Sequence, residues 1–349
     1  AYDRYLDALV VDMSREAQRI PQRELISIFI GGGTPSLFSP GHIARLLDAA
    51  ADEFVFADNI EVTMEANPGT VESGDPAGYR KAGVNRLSIG AQSFNAESLQ
   101  TLGRIHSVDD IERSVNDARG AGFDNINIDI MHALPKQSVA AALSDIDRAA
   151  ALQPTHISWY QLTLEPNTVF YARPPAGIPD EDTVAEIQAA GRKRLAESGF
   201  TQYEVSAWAQ PGRRSKHNLN YWSFGDYLAV GAGAHGKVSS GDKIWRYAKP
   251  AHPKAYMEAI ESANYNCELT PVDGESRLFE FMLNALRLTG GFGETGFSER
   301  TGLAASQLRV RMEELAGRGL MTREGAETWR PTARGAQFLD NLQAEFLPD

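Results

Sequence analysis

The sequence predicts an α/β fold: a partial (β/α)6-type barrel followed by a small C-terminal winged-helix-like α+β domain. Three observations predict it. Short apolar, β-branched runs recur at 25–30, 60–65, 86–90, 125–130, 156–163 and 202–206, with helical stretches between them. This strand–helix alternation defines βαβ units and hence a parallel sheet. Several of these runs end on a polar residue, and beyond about residue 265 the order changes to helix, short helix, helix, hairpin and helix.

Each element has a local reason. Residues 2–18 place Tyr2, Tyr5, Leu6, Leu9, Val10 and Met13 on one helical face, so the chain opens on a helix. Further helices are expected at about 41–52, 76–82, 96–103, 107–120, 138–152 and 181–198. Ser39-Pro40 reads as a helix start with Pro in the first turn, and Ser107 with Asp110 as a capping box. The strands read as apolar until their ends, where Glu65, Gln92, Asp129 and Thr163 stand. Strand C-termini form the mouth of a (β/α) barrel, so one polar group per successive strand is the pattern of an assembled site. After 207 the sequence turns rich in Pro, Gly, Arg and aromatics; 227–233 reads as a strand, 237–247 as a hairpin turning near Ser240-Gly241-Asp242, and 254–263 as a helix. Pro271 and Gly274 mark a linker. We therefore divide the chain into 1–264 and 265–349, the latter with Leu308, Met312 and Leu315 on the inner face of helix 306–318 and a hairpin at 320–330.

Composition narrows the function. Of 349 residues 42% are apolar, enough for one large or two medium cores, and 34 Lys and Arg against 46 Asp and Glu leave a net charge of −12. That balance argues against broad attraction to nucleic acid or anionic lipid. One cysteine, Cys267, cannot form an intramolecular disulfide or a multi-thiolate site, which fits a cytoplasmic protein. No apolar run is long enough for a membrane span, so the chain is expected not to be an integral membrane protein and to be peripheral to a membrane at most.

Gly31-Gly32-Gly33-Thr34-Pro35 follows a strand and precedes a helix, and is neither a Walker loop nor a dinucleotide fingerprint. Taken alone it is either a tight turn or a place where backbone groups meet a ligand. Together with Glu65-Ala66-Asn67-Pro68-Gly69, the run 83–94, Leu102-Gly103-Arg104-Ile105-His106 and Asn127-Ile128-Asp129, it closely resembles radical SAM proteins of the oxygen-independent coproporphyrinogen III oxidase group. Tyr160-Gln161-Leu162-Thr163, Glu165-Pro166-Asn167-Thr168 and His217-Asn218-Leu219-Asn220-Tyr221-Trp222 resemble its HemW-type haem chaperone branch. The resemblance implies a radical SAM barrel and an S-adenosyl-L-methionine pocket carried by Gly32, Gly33, Thr34, Glu65, Gln92, Arg104 and Asp129. The chemistry agrees: carboxylates accept from an ammonium or ribose hydroxyls, and a guanidinium forks onto a carboxylate.

The same resemblance implies a 4Fe-4S cluster on three closely spaced cysteines, which this sequence lacks; the family pattern places that loop just upstream of Ala1. No metal ligand and no catalytic residue are therefore assigned here, and the chain as given is not expected to cleave S-adenosylmethionine reductively. His217 is the candidate axial ligand of haem, with Tyr221, Trp222, Phe224 and Tyr227 to cover a porphyrin face and Arg213, Arg214 and Lys216 to meet propionates; His235 is the second candidate. His42, His106, His132, His156 and His252 read as structural or solvent-facing. The implied function is a haem chaperone whose partners are haem and haem-receiving proteins, some at the membrane. The alternative is a coproporphyrinogen III oxidase performing radical oxidative decarboxylation. A winged-helix tail also raises DNA binding, but residues 275–349 hold nine Arg against eleven acidic residues, and helix 306–318 shows no basic stripe. No nucleic-acid partner is expected.

Overall fold

The computed structural model describes residues 2–20, 23–33, 35–69, 75–166, 168–262, 265 and 267–348. Its main sheet has seven strands: β1 Glu24–Ile30, β2 Val55–Ala66, β3 Arg86–Gln92, β4 Ile126–His132, β5 His156–Gln161, β6 Thr201–Glu204 and β7 Ala207–Ala209, ordered β1-β2-β3-β4-β5-β7-β6. Strands β2 to β5 are parallel neighbours. The sheet is thus the expected half-barrel, with one departure. The last predicted strand is a hairpin, in which β7 runs antiparallel to both β5 and β6. Ala207-Trp208-Ala209 is fully buried, but three residues are too few for periodicity to reveal a strand.

Helix starts follow the sequence closely. Asp75, Asn95, Ser107, Ser138 and Asp180 each accept the backbone N–H three residues on, and Ser107 with Asp110 forms the complete capping box. The helix Pro40–Glu53 begins at Ser39, whose carbonyl accepts from Ile43.

Side chains alternate across the strands. Met64, Leu87, Ile89, Ile128, Ile130, Ile157 and Trp159 lie buried on one face. Glu65, Ser88, Asn127 and His156 form one cross-strand row on the other, with Asp129 opposite Ser158 and Met131 opposite Tyr160. That face is polar well before the strand ends, which the sequence reading understated. Its hub is Asn127: the amide nitrogen donates to Ser88 Oγ (2.7 Å) and Asp129 Oδ1 (2.8 Å), and its oxygen meets His156 Nδ1 (2.6 Å) and Ser158 Oγ (3.1 Å). His156 Nε2 meets the Tyr203 hydroxyl at 2.9 Å. Every member is satisfied, which is what makes a buried polar row tolerable.

Two buried histidines predict acid lability. Burial, with Arg192 adding, lowers His132 to about 4, and its Nδ1 has no partner; burial, with Arg86 adding, holds His156 well below 6.5. Both are neutral when folded and take up protons more readily when unfolded. Their stability is therefore present above 6.5 and lost as pH falls toward 4, a loss of roughly 3 kcal/mol for His132 alone. The urea midpoint should drop between pH 7 and pH 5, and His132→Phe should flatten that drop; a pH-independent midpoint sinks this reading.

Internal contacts divide the chain into two compact units, residues 27–44 with 60–214, and residues 1–26 with 45–59 and 215–349. The second holds the helices Tyr2–Ala17 and Lys216–Trp222, the hairpin His235–Ser240 with Lys243–Ala248, and the C-terminal elements. The strand expected at 227–233 is reduced to one bridge, Tyr227 with Lys237, because Gly231 and Gly233 take positive φ and break the extended run. The C-terminal order is as expected, with helices Gly274–Ala285, Glu294–Thr301 and Ala305–Gly317 before the hairpin Met321–Glu324 and Thr328–Pro331. A further short strand, Phe292–Gly293, pairs with Thr328–Pro331. Phe281, Met282, Phe297, Leu308, Met312, Leu315 and Trp329 make this core, which also takes in Phe224 and Ile244.

Candidate functional site

The glycine turn and β2 are joined by one bond: Gly32 N–H donates to Glu65 Oε2 at 3.0 Å. A Cβ on Gly31 would collide with Phe29 and stand 2.9 Å from Glu65 Cδ, so close packing requires glycine there. Gly32 and Gly33 meet a different demand, with φ of +78° and +55° and open space above them. Thr34 lies outside the described residues. Burial raises the Glu65 carboxyl above its ordinary range; the Gly32 bond opposes this and the Asp129 charge adds to it.

Gln92 ends β3 with φ +68°, at a register shift against β4, and is 5% exposed. The Tyr160 hydroxyl donates to its Oε1 at 2.6 Å. Asp129 accepts from Ser88 Oγ and Asn127 Nδ2, each at 2.8 Å. Arg104, exposed, follows the turn at Gly103, its N–H bonded to Leu99 O. It forms no ion pair among the described residues.

The Tyr160 phenol ties these together. It is pushed up to about 12, first by burial and then by Asp129, while Arg104 and the Gln92 bond pull down and Glu65 pushes up. Gln92 is bonded to this hydroxyl, and Glu65, Asp129 and Arg104 stand near enough for their charges to act on it. Two carboxylates, one amide, one guanidinium and the backbone of a glycine turn suit an amino-acid and ribose ligand: acceptors for ammonium and hydroxyls, a fork for a carboxylate. The residues fit S-adenosylmethionine.

Tyr160 itself was not among the predicted pocket residues. The signal was present, because His156, Ser158 and Tyr160 alternate onto the same face as Asn127 and Asp129.

A 4Fe-4S cluster is another matter. Cys267 is buried and its thiol donates to Ala248 O, and among the described residues no three His, Cys, Asp or Glu stand as a metal set. With a single cysteine in the sequence, the described residues do not fit a cluster.

His217 belongs to the other unit, on the helix Lys216–Trp222 capped by Ser215. Its ring lies 4.8 Å from Tyr221, which stacks on Tyr227 at 4.2 Å. Arg246 donates to the Tyr227 hydroxyl and to Glu280. Burial pushes Tyr221 up to about 12, with Tyr227 adding and Arg246 opposing. Asn220 locks the following turn by donating to Asp226 O at 2.8 Å.

Several expectations here need correction. Phe224 is 2% exposed inside the C-terminal core, and Trp222 lies under the Arg287 guanidinium at 4.3 Å. Phe224 is thereby withdrawn from a porphyrin face and Trp222 has one ring face occupied. Lys216 donates to Asn59 O, Arg213 pairs with Asp124 at 3.0 Å, and Arg214 lies over Tyr203. Lys216 and Arg213 already have polar partners, with which a propionate would have to compete. His235 is exposed at the start of its hairpin, without the aromatic neighbour that His217 has. On the C-terminal helix, Arg309 pairs with buried Glu294, Arg311 with Glu314, and the adjoining Arg318 with Glu345.

Comparison with known proteins matches residues 3–149 to the Radical SAM superfamily and 272–338 to the HemN C-terminal domain. The heme chaperone HemW of Haemophilus influenzae is 45% identical over 99% of this chain and 88% of its own length. That of Escherichia coli is 43% identical over 100% and 91%, and that of Bacillus subtilis 34% identical over 91% and 85%. Among solved structures, the Escherichia coli coproporphyrinogen III oxidase HemN, a radical SAM enzyme, superposes with a TM-score of 0.80 at 23% identity, covering 99% of this chain and 83% of that one. That last likeness concerns the fold.

Residues 3–149 thus carry a radical SAM domain. Within that superfamily the chain belongs to the HemW family.

Proposed function

We propose that this protein is a haem-binding chaperone that holds S-adenosylmethionine in its barrel and passes haem to receiving proteins. Whole-length identity of 43–45% to curated heme chaperones carries the reading. The cradle supports its cofactor half. Glu65 and Asp129 would accept from the ligand's ammonium and hydroxyls, Arg104 would take its carboxylate, and the Gly32–Gly33 turn, with Thr34, would supply backbone groups. When bound, S-adenosylmethionine supplies a sulfonium whose carbon–sulfur bond can be cleaved reductively. The family implies a 4Fe-4S cluster as well, for which the single cysteine of this sequence is not enough. We further propose that 1–264 form the barrel with its haem-motif extension and 265–349 the C-terminal domain, a reading that the HemN C-terminal match at 272–338 supports. No described helix is long and apolar enough to cross a membrane, and the single cysteine favours the cytoplasm.

His217 supports the haem half: a half-buried imidazole on a capped helix, backed by the Tyr221–Tyr227 stack. Haem titration of the protein should give a shifted Soret band, and His217→Ala should weaken binding by at least about tenfold with the melting midpoint unchanged. A wild type without a Soret shift, or a variant that binds equally well, overturns the chaperone reading. The oxidase alternative has less behind it: the likeness of fold to HemN at 23% identity and the HemN C-terminal domain match.

A further inference from the structure

We infer that Tyr160 is a positioning residue of the cradle, its hydroxyl holding the Gln92 amide in the orientation that meets S-adenosylmethionine. The inference rests on the S-adenosylmethionine reading of that site and adds a residue to it.

Three observations carry it. First, Gln92 is a non-glycine residue at φ +68°, placed where β3 loses register with β4. Such a backbone is kept only where the surroundings over-determine it. Second, the amide is bonded at its oxygen and closely packed at its nitrogen. Its Oε1 accepts from Tyr160 at 2.6 Å, and its Nε2 packs over Gly90, where an added Cβ would stand only 2.9 Å from that nitrogen. Third, Tyr160 stands on β5 opposite Met131, so the sheet register sets the height of its ring.

A glutamine amide has a donor end and an acceptor end that differ little in shape. What decides between them is the partner. A phenol that keeps its proton fixes Oε1 toward itself and leaves the two Nε2 hydrogens to point the other way. Burial first, then the acidic neighbours Asp129 and Glu65, help the phenol keep that proton, against Arg104. A phenylalanine would fill the same space and orient nothing. It would also leave the buried Gln92 oxygen without its donor.

The test is a double-mutant cycle on this protein, reading S-adenosylmethionine binding by calorimetry. Tyr160→Phe should weaken binding by about tenfold while near-ultraviolet dichroism stays as in the wild type and the melting midpoint falls by only the few degrees that one unpaired buried acceptor costs. Gln92→Leu should also weaken binding, and adding Tyr160→Phe to it should cost nothing more. A purely structural tyrosine would weaken binding equally in both backgrounds. If Tyr160→Phe binds as the wild type does, or if the two losses multiply, the positioning role is wrong while the cradle stands. If the wild type binds no S-adenosylmethionine, the cradle and this role fall together.

Discussion

Replacing Lys249 with Met is expected to destabilise the protein by about 3–5 kcal/mol, the cost of stranding buried carboxylates without their cation. The ammonium sits 2.5 Å from Asp12 Oδ1 and 2.7 Å from Glu16 Oε1, and all three residues are essentially unexposed. The Tyr256 hydroxyl donates to Asp12 at 2.8 Å and that of Tyr247 to Glu16, and burial raises both phenols well above their ordinary range. Arg19 adds a bond of 3.0 Å to Glu16 but does not reach Asp12 within bonding distance. Methionine would fill the volume of the lysine stem and remove the charge, so the loss is electrostatic and not one of packing. A total stability of about 5–15 kcal/mol leaves little margin for that loss. Lys254, whose pair with Glu258 spans 3.8 Å in solvent, is the comparison: Lys254→Met should cost about 0.5 kcal/mol or less. Urea unfolding at neutral pH, followed by far-ultraviolet dichroism, measures both. If the two variants cost the same, the triad is not a clamp.

That triad also marks where sequence reading fails. The 2–18 helix was legible from Leu6, Leu9 and Met13, yet Asp12 and Glu16 count as solvent-facing charges in any one-dimensional reading. Only the third dimension brings Lys249 against them. The barrel behaves in the opposite way. Its helix caps are local features, each decided by residues within a few positions, and they form as read, whereas Asp129, read as a strand end, stands inside β4 and Thr163 lies beyond β5. Tyr160 lies between these cases: its face follows from strand parity, but its partner Gln92 follows only from the register of β3 and β5 on either side of β4. The motif at 217–222 was legible as a motif and misjudged as a surface, because nothing local shows that Phe224 belongs to a core built by Phe281 and Phe297 far along the chain.

Glu65→Gln should move binding and stability in opposite directions. The folded protein holds the Glu65 proton more tightly than the unfolded chain does, because burial and the Asp129 charge both disfavour the carboxylate. Stability contributed by this group is therefore full below 4.5 and lost as pH rises through the elevated folded value. A glutamine keeps an oxygen for Gly32 N–H and carries no charge to desolvate, so that loss disappears. The variant should match the wild type near pH 4 and be the more stable of the two at pH 7, by thermal melting without ligand. Its affinity should fall. A ligand ammonium or hydroxyl that met a carboxylate would meet a neutral amide, and a bond to a charged group contributes about 1.5–3 kcal/mol, or roughly 10- to 150-fold in S-adenosylmethionine affinity. A variant that gains stability at pH 7 and keeps its affinity would show that Glu65 braces the glycine turn and does not touch the ligand. One that loses stability at pH 7 would show that the carboxylate is not held at a cost.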